Sequence, residues 1–286
     1  MGYGMKLLIT DNCNVSCAHC KYSCGPGGSS ISDEHIDLFV NKLINEPFFN
    51  LTISGGEVFT VKPKLYAVLR AVNRKVFGDC PGFIEIATNG FWAQDLTVAG
   101  RTLDELISEA ELRPDLRPFI TYTGYTKFHK AQGLKIDDIK SNLARACHDK
   151  GFKFGVYETN SLYPFGRAKG LSESKHEFND ECKIIGGYHM GFHVNYDGLI
   201  YLCDNLGFSV GSLLDKNLLS LSHLHSMLER SPVARYLINP ATTRSDLVKA
   251  GKAFGSYKPE FERIKNICSL CEALFSGASL SDFSIV

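Results

Sequence analysis

The sequence has no excess of either charge: 31 lysines and arginines stand against 31 aspartates and glutamates in 286 residues. Nucleic acid and anionic membrane surfaces are recognised through a basic face that releases counterions. The balance therefore argues against both as partners. No apolar run approaches the roughly 20 residues that a bilayer span needs. The first residues lack a basic segment followed by a signal-like apolar stretch, and there is no long repeat or low-complexity tract. Ten cysteines invite a disulfide reading. In a chain this large, without a secretion signal and with three of the ten clustered as metal ligands are, a reducing cytoplasm is the expectation. Apolar residues at 44% and charged residues at 22% are ordinary for a soluble globule with a sizeable core. The length suggests two domains, or one barrel with an addition.

Strand-like and helix-like segments alternate. Apolar runs occur at Leu7–Thr10 (extending back to Met5), Leu51–Ser54, Phe83–Thr88, Pro118–Thr123 and Phe154–Glu158. Between them, Ile36, Phe39, Val40, Leu43 and Ile44 share one helical face, and Leu65, Val68, Leu69, Val72 and Val76 form a second stripe with Pro63 near its start. Thr102-Leu103-Asp104-Glu105 reads as a capping box ahead of Leu106. Ile136, Ile139, Leu143 and Cys147 make a fourth stripe closed by Gly151. Repeated β–α units with continuous apolar strands mean α/β, a parallel sheet covered by helices. The texture turns polar around Ser172–Asp180, which places a boundary near residue 175. Beyond it, Phe192–Tyr201 around Asp197-Gly198 predicts a hairpin, and Leu218–Leu228 a helical stretch. Gly25-Pro26-Gly27-Gly28-Ser29-Ser30 reads as a short flexible loop.

The most informative feature is Cys13-Asn14-Val15-Ser16-Cys17-Ala18-His19-Cys20. Its spacing is Cys-x3-Cys-x2-Cys, with no further cysteine until Cys24. Three thiolates on one loop can hold three irons of a cubic [4Fe–4S] cluster and leave the fourth open to a small molecule. A zinc knuckle fits this spacing poorly, because zinc sites favour paired cysteines or cysteine–histidine pairs. The loop follows the first strand-like run, and α/β folds keep their chemistry at strand C-termini.

Cys-x3-Cys-x2-Cys after a first strand resembles the radical S-adenosylmethionine (radical SAM) superfamily. The resemblance implies a partial (β/α)6 TIM-type barrel. It also implies an open iron that chelates the amino and carboxylate groups of SAM, and a 5′-deoxyadenosyl radical that takes a hydrogen atom from an unactivated carbon. Ser54-Gly55-Gly56-Glu57 closes the second strand and is similar to the Gly-Gly-Glu that binds the SAM amino group in this superfamily. Glycines let backbone approach a ligand, and a carboxylate pairs with an ammonium. Asn89, in Thr88-Asn89-Gly90, stands where the family places a polar contact to SAM. Arg167 lies in a Gly-Arg-Ala segment like one seen near the SAM carboxylate and adenine, though a surface arginine reads equally well. His19 holds the position of a residue beside the adenine, or of a packing residue.

Cys182, Cys203, Cys268 and Cys271 resemble the auxiliary-cluster (twitch) half of SPASM-type radical SAM enzymes, which carries one more [4Fe–4S] cluster. A four-cysteine zinc ribbon is the alternative. The expected organisation is a barrel over residues 1–175 and a small hairpin-plus-helix auxiliary domain over 176–286. Among the other cysteines, Cys147 reads as packing, Cys80 as a loop residue, and Cys24 as the extra thiol near the open cluster.

Cys20 to Pro26, Ser54 to Phe59, Asn89 to Trp92 and Ile267 to Phe275 look like segments of peptidyl epimerases, whose relatives act on aminoglycosides. Those peptide epimerases carry a hydrogen-atom donor cysteine directly after the hairpin ligand; here that residue is Asp204. A Cys-Asp pair resembles sulfatase-maturing enzymes, in which the aspartate accepts a proton as the substrate radical is oxidised. Net oxidation or cross-linking of a peptide or aminoglycoside-like substrate, with Asp204 as base, is the first expectation. Epimerisation with Cys24 as donor is the second. A non-catalytic zinc- or iron–sulfur-binding protein is a third, of another class. The fourth strand reads Thr121-Tyr122-Thr123-Gly124 where the peptide epimerases carry an aspartate. Tyr122, Tyr125 and His129 stay open as substrate-facing residues. The resemblance further implies a reducing partner such as flavodoxin or ferredoxin. No leader-peptide-binding domain is recognisable.

Overall fold

The computed structural model describes residues 3–44, 48–74, 83–158, 166–171, 181–182, 191–203, 209–231, 233–236, 242–264 and 267–275. In chain order the elements are β1 (Tyr3–Leu8), α1 (Asp33–Lys42), β2 (Phe48–Ser54), α2 (Lys62–Asn73), β3 (Phe83–Thr88), α3 (Leu96–Glu109), β4 (Phe119–Gly124), α4 (Thr126–Ala131), α5 (Ile136–Lys150), β5 (Phe154–Glu158), β6 (Glu181–Cys182), β7 (Gly191–Val194), β8 (Leu199–Tyr201), β9 (Ser209–Ser212), α6 (Leu221–Arg230), β10 (Thr242–Thr243), α7 (Arg244–Phe254) and α8 (Ile267–Phe275).

Eight strands form one sheet in the order β5-β4-β3-β2-β1-β7-β8-β9. The first six in that order run parallel, and helices lie between the strands in sequence, as the α/β reading requires. Among the described residues the sixth parallel strand is β7, which joins the sheet beside β1 through Gly4↔Gly191 to Leu7↔Val194. The predicted hairpin is β7–β8, paired antiparallel through His193↔Tyr201 and Val194↔Ile200. Gly198 takes φ +81° at its turn, a conformation that glycine adopts without a Cβ penalty. The expected boundary near 175 lies outside the described residues.

Continuous apolar strands were expected; the structure alternates instead. Met5, Leu7, Leu51, Ile53, Ile84, Ile86, Ile120, Phe192 and Val194 are buried in the core on one face. The intervening positions, Lys6, Thr52, Glu85, Thr121 and His193, are polar. Successive strand residues point to opposite faces, so one face packs on helices at about 1.5–3 kcal/mol per buried aliphatic side chain. The other lines an interior with room for ligand.

Local signals explain most helix limits. Ser32 caps α1 by accepting from His35 N, and Asp33 and Glu34 sit in its first turn. Gly151 ends α5 at φ 70°, and Cys147 is fully buried there. The Thr102 capping box is corrected. The helix begins seven residues, about two turns, earlier, with Asp95 accepting from Val98 N, and Thr102 is a buried mid-helix residue. Asp95 is an equally good cap, and the apolar stripe runs through Thr102.

The glycine run after Cys24 is also corrected: it is tied down. Gly25 N donates to Asp11 O (3.1 Å), Gly27 N to Asn12 Oδ1 (3.0 Å) and Thr10 Oγ1 to Ser29 O (2.6 Å). The hairpin turn docks on the same region. Tyr196 Oη donates to Asp11 Oδ2 (2.9 Å), and His35 Nδ1 lies 3.2 Å from Tyr196 O. Lys42 Nζ donates to Leu213 O (2.8 Å) and Asp215 O (2.6 Å), so the end of α1 holds the segment after β9. No described helix is long and apolar enough to cross a membrane.

Candidate functional site

The β1–α1 loop brings Cys13, Cys17, Cys20 and Cys24 to the wall of one cavity of about 220 Å³ at the C-terminal ends of the strands. A bound water occupies about 10–15 Å³ on this measure, so the space admits a far larger guest. His19, Gly55, Gly56, Asn89 and Arg167 line the same cavity. The loop is a built object. Cys13 N donates to Gly25 O (3.0 Å), Cys20 N to Cys17 O (3.2 Å) and Ser23 N to Cys20 O (3.3 Å).

Arg167 clamps the loop. Its Nε donates to Cys17 O (2.9 Å), Nη1 to Ser23 O (2.7 Å) and Nη2 to Cys24 O, while its backbone N–H donates to Cys20 O (3.1 Å). A planar guanidinium reaches three carbonyls at once, which an ammonium cannot. Gly166 precedes it at φ +54°, where a Cβ would overlap Lys21 O and Cys20 O. Arg167 is therefore at the cavity wall, with its donors directed to the cysteine loop.

Glu57 is fully buried and does not line the cavity. Its carboxylate accepts from Phe59 N (3.1 Å), Thr88 Oγ1 (2.8 Å) and Asn89 N (2.7 Å). Burial nevertheless pushes the carboxyl up to about 7, against those three donors. The glycines before it serve the loop directly. A Cβ on Gly55, at φ +147°, would overlap Thr10 O, and one on Gly56 would overlap Asn12 O. Gly56 N donates to Thr10 O (2.7 Å) and Glu57 N to Asn12 O (2.8 Å). Asn89 Nδ2 donates to Asn14 Oδ1 (2.9 Å) and lies 3.8 Å from Cys13 Sγ.

Burial raises the Cys13 thiol to about 12 and the Cys17 thiol to about 11. The Cys24 thiol hydrogen-bonds the Cys20 sulfur, which lowers Cys20 and raises Cys24. Three cysteines facing one cavity, with asparagine beside one and a thiol beside another, fit a thiolate-bound cluster. Loading it releases protons.

His19 packs on Tyr125 (ring centroids 4.2 Å) and Phe128 (4.7 Å). Burial lowers it to about 4, with His129 and Arg167 adding to the shift; burial lowers His129 to about 4 as well. Tyr125 and His129 line the cavity. Tyr122 does not: it is fully buried in the core, and its hydroxyl is 2.9 Å from His129 Nδ1.

Several residues at or beside the site carried no motif. Lys6, Thr123 and Tyr157 line the cavity. Along one register row, Lys6, Thr52 and Glu85 stand in line across β1, β2 and β3. Thr52 Oγ1 (2.8 Å) and Thr121 Oγ1 (2.6 Å) both donate to Glu85. The available signal was a lysine and a glutamate inside apolar runs at strand spacing. Cys24 also lines a second cavity of about 100 Å³ with Asp11, Tyr22 and Tyr196.

In the C-terminal third, Cys182 is in β6, which pairs with β10. Cys203 is buried just after β8, and Cys268 and Cys271 are on α8. α8 packs against β6. The side chains of Cys182 and Cys268 lie outside the described residues, as do Asp204 and Cys80.

No family model and no curated protein matches the sequence. Solved structures do share the fold. The native form of anSMEcpe with bound AdoMet and Kp18Cys peptide is 13% identical over 94% of this chain and 87% of that one, with a TM-score of 0.51. The polyhistidine-tagged form with bound AdoMet is 13% identical over 78% and 80%, with a TM-score of 0.51. The native form with AdoMet and Cp18Cys peptide is 13% identical over 77% and 79%, with a TM-score of 0.50. At this identity the likeness shows the fold: an α/β sheet of the partial TIM-barrel type.

Proposed function

We propose that this chain is a radical SAM enzyme, with Cys13, Cys17 and Cys20 holding a [4Fe–4S] cluster whose fourth iron takes SAM. The observation that carries the reading is the convergence of the three cysteines, the Gly55-Gly56 backbone, Asn89 and Arg167 on one cavity at the strand ends. That the solved structures of like fold hold AdoMet supports it. When bound, the pair supplies a 5′-deoxyadenosyl radical able to abstract hydrogen from carbon. The chain's own residues bind and orient. Gly55 and Gly56 offer backbone at the wall, His19 and Tyr125 an aromatic surface for a flat ring, and Arg167 holds the loop in shape. Glu57 acts as a positioning residue through Asn89 and the turn before it, rather than touching the ligand.

Under the same proposal, residues 1–175 form most of the barrel, which takes its sixth parallel strand, β7, from 176–286, and the rest of 176–286 is a twitch region. There Cys182, Cys203, Cys268 and Cys271 hold one auxiliary [4Fe–4S] cluster; the packing of α8 on β6 supports this arrangement. The substrate is a peptide or an aminoglycoside-like molecule. Lys6, Asn89, Thr123 and Tyr125 in the cavity wall suit such a polar guest, and two of the like-fold structures carry peptides. Net oxidation or cross-linking, with Asp204 taking the proton, is the favoured outcome, in a cytoplasmic enzyme served by flavodoxin or ferredoxin.

A second outcome is favoured by a specific observation. Cys24 is buried at the cavity wall, and its S–H can quench a substrate radical, giving epimerisation. Anaerobic reconstitution with iron and sulfide, followed by a 5′-deoxyadenosine assay, tests the class. Reductive SAM cleavage is expected; none in fully loaded protein removes the reading. Mass spectrometry in D2O separates the outcomes. Oxidation lowers product mass by two hydrogens, whereas epimerisation leaves it unchanged apart from one deuterium.

A further inference from the structure

A different donor set lies in the wall of the same cavity. Cys17 Sγ and a ring nitrogen from each of His19 and His129 all lie within 4.8 Å of one another. One thiolate and two imidazoles are a zinc-type set with one tetrahedral corner to spare. Ordinary Zn–S and Zn–N lengths put tetrahedral donors about 3.5 Å apart, so small side-chain rotations close the three on an ion.

Both rings are held in place. His129 is 5% exposed, and its ring lies over Gly124, where any Cβ would overlap it. Its Nδ1 is engaged by the Tyr122 hydroxyl at 2.9 Å, which leaves Nε2 as the ligating atom. A hydrogen bond to the far nitrogen is how metal-binding histidines are oriented. His19 is fixed between Tyr125 and Phe128. Its Nδ1 is buried with no hydrogen-bond partner among the described residues. An orphaned buried polar atom costs stability, and a metal ion satisfies it.

We propose that Cys17, His19 and His129 bind one divalent transition-metal ion of the zinc class in the chain that has not yet received its cluster. The Cys17 thiol loses its proton to solvent on binding, the fourth corner takes water, and no electron moves. Cys17 also belongs to the iron–sulfur triad. Ion and cluster therefore exclude each other, a clause that rests on the radical SAM reading; the ion site itself does not.

The test is anaerobic titration of the metal-free full-length chain with Co2+, read by thiolate-to-cobalt charge-transfer absorption. His129→Ala and His19→Phe, the latter keeping a ring between Tyr125 and Phe128, are each expected to lose one equivalent of cobalt or weaken it at least tenfold. Cys13→Ser is expected to keep that equivalent. If both histidine variants bind as the wild type does, or if Cys13→Ser loses the equivalent while they keep it, the ion sits among the cysteines and the proposal falls. Exclusion is read separately, by iron uptake with one equivalent of Zn2+ already bound. Slowed uptake supports it and an unchanged rate overturns it. A failed 5′-deoxyadenosine assay would strike the enzyme reading while leaving the cobalt result standing.

Discussion

The Glu57 carboxylate accepts the backbone N–H of Asn89 at 2.7 Å, so the turn after β2 and the turn after β3 share one buried anchor. Asn89 then reaches Asn14 in the cysteine loop. A carboxylate outside the lining of the cysteine cavity is thus linked through one residue to the loop that lines it.

Glu57→Ala leaves the Asn89 and Phe59 N–H groups and the Thr88 hydroxyl without their acceptor in a dry site. The expected loss is about 2–4 kcal/mol of stability in urea unfolding. Glu57→Gln, which keeps one carbonyl oxygen, should lose less. Equal stability of all three proteins would show that the anchor contributes nothing.

The same carboxyl gives a pH signature. It is held at about 7 against an ordinary 4.5, so the folded chain binds the proton more tightly than the unfolded one. Its contribution is full below about 4.5 and is lost as pH rises through about 7, by about 3 kcal/mol at most. His19 and His129 act in the opposite sense. Held at about 4 rather than 6.5, they contribute above 6.5 and lose that as pH falls through 4. Subtracting Glu57→Gln from wild type isolates the carboxyl, and the wild-type advantage should be larger at pH 5 than at pH 8. A difference flat in pH would mean that the group stays ionised in the metal-free fold.

Arg167 predicts loss of loop shape rather than loss of a ligand. Arg167→Ala and Arg167→Lys should both lower iron and sulfide uptake, because a single ammonium cannot reach the carbonyls of Cys17, Ser23 and Cys24 together. Iron and sulfide analysis after reconstitution checks this; full loading in the lysine variant would show that charge alone suffices.

Two glycines make opposite predictions. Gly56→Ala places its Cβ against Asn12 O and should cost about 1–3 kcal/mol, with reduced cluster loading. Gly100, in α3, has open space around it, so Gly100→Ala should stabilise by about 0.5–1 kcal/mol. Thermal unfolding of both variants decides.

How much of this was legible in the sequence depends on range. The stripes ending at Gly151 and the Asp197-Gly198 turn are local signals and match α5 and the β7–β8 hairpin. Asp95 outcompeted Thr102 as the α3 cap, because two good caps about two turns apart differ only in which one the tertiary packing leaves outside the helix. Cys13, Cys17 and Cys20 announce a site by spacing alone. The orientation of Glu57 toward Asn89 and the approach of His129 to Cys17 join residues far apart in the chain, and no motif announces the contact of Tyr122 with His129. Lys6 and Glu85 carry no motif, and nothing local in their apolar runs says which face of the sheet they share with Thr52.

The pairing of β7 with β1 has a consequence for how the chain comes to life on the ribosome. The strand that leads into the cysteine loop is synthesised well before the partner of one of its edges, which exists only once residues 191–194 emerge. Contacts so distant in sequence form late. A nascent or truncated barrel lacking them would present Gly4–Leu7 as a bare edge, inviting self-association. Metal delivered before residues 191–194 have docked would meet a cysteine loop whose leading strand is still open along one edge.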